Sequence, residues 1–153
     1  IDWQIAAIDD FSGDGLADIL WRHANGALAA WRGHGSGFDA AAFPVLQVDR
    51  QWQVAGSGDI DGDGMADILW RHSGGGLVAW RSTGSGFDGG AFPASRVDPA
   101  WQVAAVEDYD GDGRADIVWR HASGSLTWWR TSDSGFDAAT GYLAAVGTDW
   151  AIA

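Results

Sequence analysis

Asp59-Ile60-Asp61-Gly62-Asp63-Gly64-Met65-Ala66-Asp67 sets carboxylates at positions 1, 3, 5 and 9 of a nine-residue run and glycines at positions 4 and 6. Like charges this dense repel one another unless a cation sits among them. The glycines let the backbone curl, so the carboxylates can converge on a point. A hard cation with oxygen ligands is the natural occupant, and calcium suits it better than magnesium because its larger shell is flexible. An EF-hand is excluded: the twelfth position, which should carry a bidentate Glu, is Trp70 here and Trp21 or Trp119 in the other two copies. The plain alternative is an acidic surface turn without metal. Three copies at matched spacing count against it.

The run recurs because the whole chain repeats. Trp3, Trp52, Trp101 and Trp150 are spaced 49 residues apart, each opening Trp-(Gln/Ala)-(Ile/Val)-Ala. The same offset links Asp10, Asp59 and Asp108, then Asp18, Asp67 and Asp116, and finally Phe38, Phe87 and Phe136. The units are therefore 1–49, 50–98 and 99–147, and 148–153 begins a fourth repeat or supplies a closing strand. Within the second unit, Trp52 to Gly56 reads as a first strand continuing to Asp59. After the acidic loop, Ala66 to His72 is a second strand and Leu77 to Arg81 a third, joined by the hairpin signal Ser73-Gly74-Gly75-Gly76. A weaker fourth strand lies between Phe87 and Val97, broken by Pro93 as an outer edge strand tolerates. No apolar stripe of helical period runs beyond two turns. Four short antiparallel strands at this period predict an all-β chain of propeller blades. A β-trefoil has a similar length, but no acidic loop recurs between its first two strands.

The composition narrows the function. The 153 residues carry a formal net charge of −12, with a pI near 4.3 and mean hydropathy of −0.11. That acidity argues against a nucleic-acid partner, and no apolar run approaches the roughly 20 residues a membrane helix needs. Cysteine is absent, so there is no disulfide framework or thiolate metal site. All nine basic residues are Arg. Calcium at millimolar concentration is an extracellular condition, so the loops favour a secreted or cell-surface location. A start at Ile1, with no initiator Met or signal peptide, suggests a processed product or an excised piece.

The pattern Val54-Ala55-x-x-x-Asp59-x-Asp61-Gly62-Asp63-Gly64-x-x-Asp67-Ile68-Leu69 resembles the FG-GAP/VCBS repeat of integrin α-type β-propellers, also found in secreted bacterial proteins and a fungal propeller lectin group. The resemblance covers all three units and implies a calcium loop between the first, inner strand and the second strand of each blade. Two departures stand out: such propellers usually have seven blades, and Ser12 replaces the third-position Asp of the first loop. By analogy within the motif, up to three structural calcium ions are expected. The ligands would be Asp59, Asp61, Asp63 and Asp67 with the Met65 carbonyl, and Asp108, Asp110, Asp112 and Asp116 with the Arg114 carbonyl. The first loop offers Asp10, Ser12, Asp14 and Asp18 with the Leu16 carbonyl. It should bind most weakly, having lost a full charge.

Ligand contacts are sought in the repeated triplets Trp21-Arg22-His23, Trp70-Arg71-His72 and Trp119-Arg120-His121. Trp rings stack on the apolar faces of sugars, and Arg and His pair with hydroxyls; against this stands packing between blades for Trp and turn-fixing for Arg and His. Trp128 stands where the other units have Ala30 and Ala79, which suggests an exposed contact or local repacking. His34 and Tyr142 are likewise unrepeated. Catalysis finds little support. Gly33-His34-Gly35-Ser36-Gly37 does not centre its Ser between glycines as a nucleophile elbow does, and Glu107 is the sole Glu. The expected function is a non-catalytic, calcium-stabilised binding module with glycan as ligand class; the alternative is a structural or adhesion repeat, or an appendage of a secreted hydrolase. Three blades cannot close a ring, so a homodimer of six blades is the first expectation. The restart at Asp149-Trp150 would compete for its closing slot.

Overall fold

The computed structural model describes residues 2–90 and 92–147, and side chains for all of these except 138–140 and 142. Every regular element among them is a β-strand. Blade 1 contains β1 (Trp3–Asp9), β2 (Asp18–His23), β3 (Ala27–His34), β4 (Gly37–Asp39) and β5 (Leu46–Gln47). Blade 2 contains β6 (Trp52–Gly58), β7 (Asp67–His72), β8 (Gly76–Ser82), β9 (Phe87–Asp88) and β10 (Ser95–Arg96). Blade 3 contains β11 (Trp101–Glu107), β12 (Asp116–His121), β13 (Ser125–Ser132) and β14 (Gly135–Ala145). All pairings are antiparallel, and each blade is an antiparallel meander with four strand positions.

The fourth position differs between blades for a reason visible in the sequence. In blades 1 and 2 it is split in two around Phe43-Pro44 and Phe92-Pro93, and both halves pair with the third strand. Blade 3 has Gly141-Tyr142 at those positions and runs unbroken as β14. Proline cannot donate to a ladder, so the chain leaves the sheet there. It then turns Phe43 and Phe92 inward, to 3% and 9% exposure.

Alternation along β7 assigns the two faces of a blade. Ile68, Leu69 and Trp70 are all essentially inaccessible, because blade 2 is covered on both faces. Leu20, Leu28 and Ala30 of blade 1 share one core with Ile68 and Trp70 of blade 2. Leu69, Leu77 and Ala79 of blade 2 share the next with Ile117 and Trp119 of blade 3. The Leu-Leu-Ala face of one blade thus meets the Ile-Trp face of the following one. A bulge in each first strand, between Ile5 and Ala7, Val54 and Gly56, or Val103 and Ala105, resets the alternation on the inner strand. The inner strands β1, β6 and β11 lie side by side in that order. The result is an open stack of three blades, with the 148–153 segment and its Trp150 outside the described residues.

Candidate metal loops and inter-blade clefts

The acidic loops fall between the first and second strands of each blade, where the resemblance places them. Their curl is set by the first Asp. Asp59 Oδ1 accepts the amides of Gly62 (2.7 Å) and Asp63 (3.0 Å), and Oδ2 accepts that of Gly64 (2.8 Å). Gly62 and Gly64 hold φ of 77° and 86°, a region closed to most side chains. Asp10 and Asp108 act in the same way.

The ninth position does something else. Asp18, Asp67 and Asp116 are fully buried, and each bridges its loop to the third strand. Asp67 Oδ2 accepts from Ile60 N at 3.0 Å while Oδ1 accepts from Ser82 N at 2.8 Å. Asp18 pairs with Ser12 N and Gly33 N, and Asp116 with Tyr109 N and Thr131 N. Burial pushes the Asp67 carboxyl up to about 7, opposed by the Ser82 amide and reinforced by Asp61 and Asp63. Burial also raises Asp61 and Asp116. These carboxylates are held together against their own repulsion, the condition a cation relieves.

Asp59, Asp61 and Asp67 bring one oxygen each to within 4.8 Å of one another, and Asp108, Asp110 and Asp116 do the same. Both all-oxygen donor sets fit a hard divalent cation. Asp63 and Asp112 lie outside these triads and accept the amides of Met65 and Arg114. The first loop forms no triad of this kind: Ser12 Oγ sits 3.4 Å from Asp10 Oδ1, and Asp14 accepts the Leu16 amide. Successive loops are joined through backbone, Ala66 N donating to Asp10 O at 2.8 Å and Ala115 N to Asp59 O at 2.6 Å. The side chains of Met65 and Arg114 reach back over Gly13 and Gly62 of the preceding loop.

The Trp-Arg-His triplets lie at the opposite rim. Trp70 and Trp119 are 1% and 0% exposed and offer no surface to a ligand, while Trp21, on the outer face of blade 1, is half-buried. Arg71 donates to the carbonyls of Gly75 (2.5 Å), Val97 (2.9 Å), Asp98 (3.0 Å) and Trp101 (3.3 Å), and its guanidinium lies 5.5 Å from the Trp119 ring centre. Arg22 grips Gly26, Val48, Asp49 and Trp52 and stacks on Trp70 in the same fashion. Arg120 reaches the Gly147 carbonyl at 2.9 Å. Arg22 and Arg71 therefore each staple their own hairpin to the linker entering the next blade. His23, His72 and His121 accept the amide two residues on, from Asn25, Gly74 and Ser123, and pack on Trp3, Trp52 and Trp101 at 4.8 to 5.0 Å. The His residues thus brace their turns, while Arg22 and Arg71 tie hairpin to linker.

Two equivalent clefts open beside these staples. One, of about 540 Å³, lies between blades 2 and 3 and is lined by Gln53, Arg71, His72, Trp101 and Gln102. The other, of about 390 Å³, lies between blades 1 and 2, with Gln4, Arg22, His23, Trp52 and Gln53. The exposed Gln4, Gln53 and Gln102 recur at the repeat spacing, the one sequence signal that marks them, since Gln on a strand carries no signature of its own.

Trp128 is cross-strand partner to Gly141, whose hypothetical Cβ would lie 3.1 Å from the indole nitrogen. The corresponding pair in blade 1 is Ala30 and Phe43. Bulk has moved from the fourth strand to the third, where Trp128 stays partly exposed.

A family model for the FG-GAP-like repeat matches residues 10–70 and again 59–119. Among solved structures, a chain of the Tc holotoxin pore of Photorhabdus luminescens has the same fold, at TM-score 0.54 and 23% identity over 84% of this chain. This chain spans only 6% of that one. No curated protein matches significantly. The two overlapping matches take in most of the sequence, with the acidic loops at their starts, and the chain belongs to the FG-GAP-like repeat family.

Proposed function

We propose that the chain is a non-catalytic, secreted binding module in which calcium braces the acidic loops and carbohydrate occupies the inter-blade clefts. The observation that carries this reading is the pair of equivalent clefts, repeated with the 49-residue unit and lined by amides, imidazole and the edge of a Trp. Amides offer donor and acceptor together, which suits the paired hydroxyls of a sugar ring. Two weak sites on one rigid rim gain avidity for a ligand that offers many copies. Calcium is supported by the two all-carboxylate triads, and its role there is to hold the loop corners.

Gln53 lines both clefts, so Gln53→Ala is the informative variant. On a glycan array in millimolar calcium, the wild type is expected to bind and the variant to lose about tenfold or more, a weight ordinary for lost hydrogen bonds. No binding above background would sink the carbohydrate reading and leave the second one, a structural blade repeat without a ligand of its own. That second reading draws on the commitment of Arg22 and Arg71 to backbone carbonyls.

A further inference from the structure

The two inter-blade clefts are alike in their amides and indole edges but not in their charge. In each, the staple Arg is answered by an acid on the linker that enters the next blade. Burial lowers the Arg22 pKa and the charge of Asp49 opposes it, and burial lowers Arg71 while Asp98 opposes it. Staple and linker acid therefore cancel in both places. The next linker residue breaks the symmetry, being Arg50 in the wall of the first cleft and Pro99 in that of the second. Both occupy the same post: Arg50 Cγ lies 3.4 Å from a Cβ built on the hairpin residue Gly26, and Pro99 Cδ lies 3.6 Å from one built on Gly75.

Arg50 is exposed and makes no hydrogen bond or ion pair among the described residues. Its stem rests on the hairpin, so the guanidinium stands at the cleft with nothing opposite it. Asp2 lies outside the cleft lining, 3.9 Å from the His23 imidazole. On the other side of Arg50 a shallower depression is lined by Asn25, Gln47 and Gln51. The surroundings also favour an anion. Among the described residues, this rim carries five Arg against Asp2, Asp49 and Asp98, while the remaining Asp and Glu gather toward the loop rim. Charges more than about 8 Å away are largely screened at physiological salt, so the acidic total does not repel an anion here.

We propose that the cleft between blades 1 and 2 selects saccharides bearing an anionic group, a carboxylate or a sulfate, with Arg50 as the selecting residue, and that the cleft between blades 2 and 3 takes neutral sugars. The inference rests on the carbohydrate reading of the clefts and adds which sugars enter which. A planar guanidinium offers paired donors that match the oxygens of either anion.

Glucosides, glucuronides and sulfated glucosides displayed at matched density test this with the purified chain in millimolar calcium. The wild type is expected to favour the anionic forms over the neutral one by about two- to fivefold, the weight of one exposed ion pair. That preference should fade toward about 0.5 M salt. Arg50→Gln is expected to abolish it, Arg50→Lys to keep most of it, and Pro99→Arg, which copies the charge into the second cleft, to raise it. Arg96→Gln removes the same charge from the same rim outside both clefts, and should leave the preference as it was. Thermal melts verify that each variant folds. Preference for either anion upholds the inference, and the two anionic arms tell carboxylate from sulfate. A wild type that binds all three glycans equally, or an Arg96→Gln loss as large as that of Arg50→Gln, overturns it and leaves the carbohydrate reading standing. Binding to none of the glycans removes both.

Discussion

Replacing Arg71 with Ala removes the staple between blades 2 and 3. The guanidinium donates to five backbone carbonyls at 2.5 to 3.4 Å and rests on the Trp119 ring. A hydrogen bond from a charged donor contributes about 1.5–3 kcal/mol net, and an exposed cation–π contact about 0.5–1 kcal/mol. The five bonds share one side chain and are not additive, and the group is only half-buried, so water recovers part of the loss. A total of about 3 kcal/mol is the reasonable expectation, which lowers the melting temperature by about 6–12 °C for a domain of this size. Arg71→Lys keeps the charge but has no planar fork to span carbonyls on two segments, so it should cost about half as much. Arg96→Ala is the control: its single bond to Gly74 O, at 3.2 Å on the surface, predicts a change within about 0.5 kcal/mol. Urea unfolding in calcium, with the m-value held common, provides the measurement. An Arg71→Ala cost under about 1 kcal/mol, or Arg71→Lys behaving as wild type, would refute the staple and return this Arg to the list of free ligand contacts.

The raised Asp67 carboxyl makes the metal-free protein lose stability as pH rises. An unfolded Asp titrates near 3.9, whereas burial holds Asp67 at about 7, so the native state binds the proton more tightly. Its contribution is complete below about pH 4 and is lost as pH rises through about 7, a change on the order of 4 kcal/mol by linkage. Melting temperatures in chelator should show this fall relative to Asp67→Asn, and calcium should flatten it by holding the carboxylate ionised. At the same boundary between blades 2 and 3, Gly56→Ala drives a methyl to within 2.5 Å of Val106 Cγ2 and should cost about 1–3 kcal/mol by overpacking. Val106→Ala in the same chain should return part of that, measured as a double-mutant cycle.

Much of the architecture is legible from composition and spacing. The acidic loops, the hairpin glycines and the 49-residue period locate the first three strands of every blade to within a residue or two, and Pro93 correctly marks the fourth as broken. The readings that ran short concern contacts between units. Arg71 looks like a surface cation beside a turn, because the carbonyls it holds lie 26 to 30 residues downstream on a linker. The bulges shift face assignment without leaving a mark, since Ala6, Ala55 and Ala104 are as much at home in a strand as out of one. Trp128 reads as an anomaly until Gly141 is set opposite it. Asp67 counts as one more ligand in the sequence, while its second oxygen is occupied by the Ser82 amide.

The unbroken fourth strand of blade 3 has a consequence for handling the protein. An outer strand that runs for 11 residues without proline presents backbone amides and carbonyls along its free edge, interrupted by the two register shifts in its pairing with β13. Blades 1 and 2 interrupt that row with Pro44 and Pro93, which keep foreign strands from zipping onto them. Blade 3 lacks the proline and has only the register shifts of β14 in its place. In concentrated or partly unfolded samples, ordered aggregates should grow from the β14 edge, and a proline there would be the first change to make in a crystallisable or storable form.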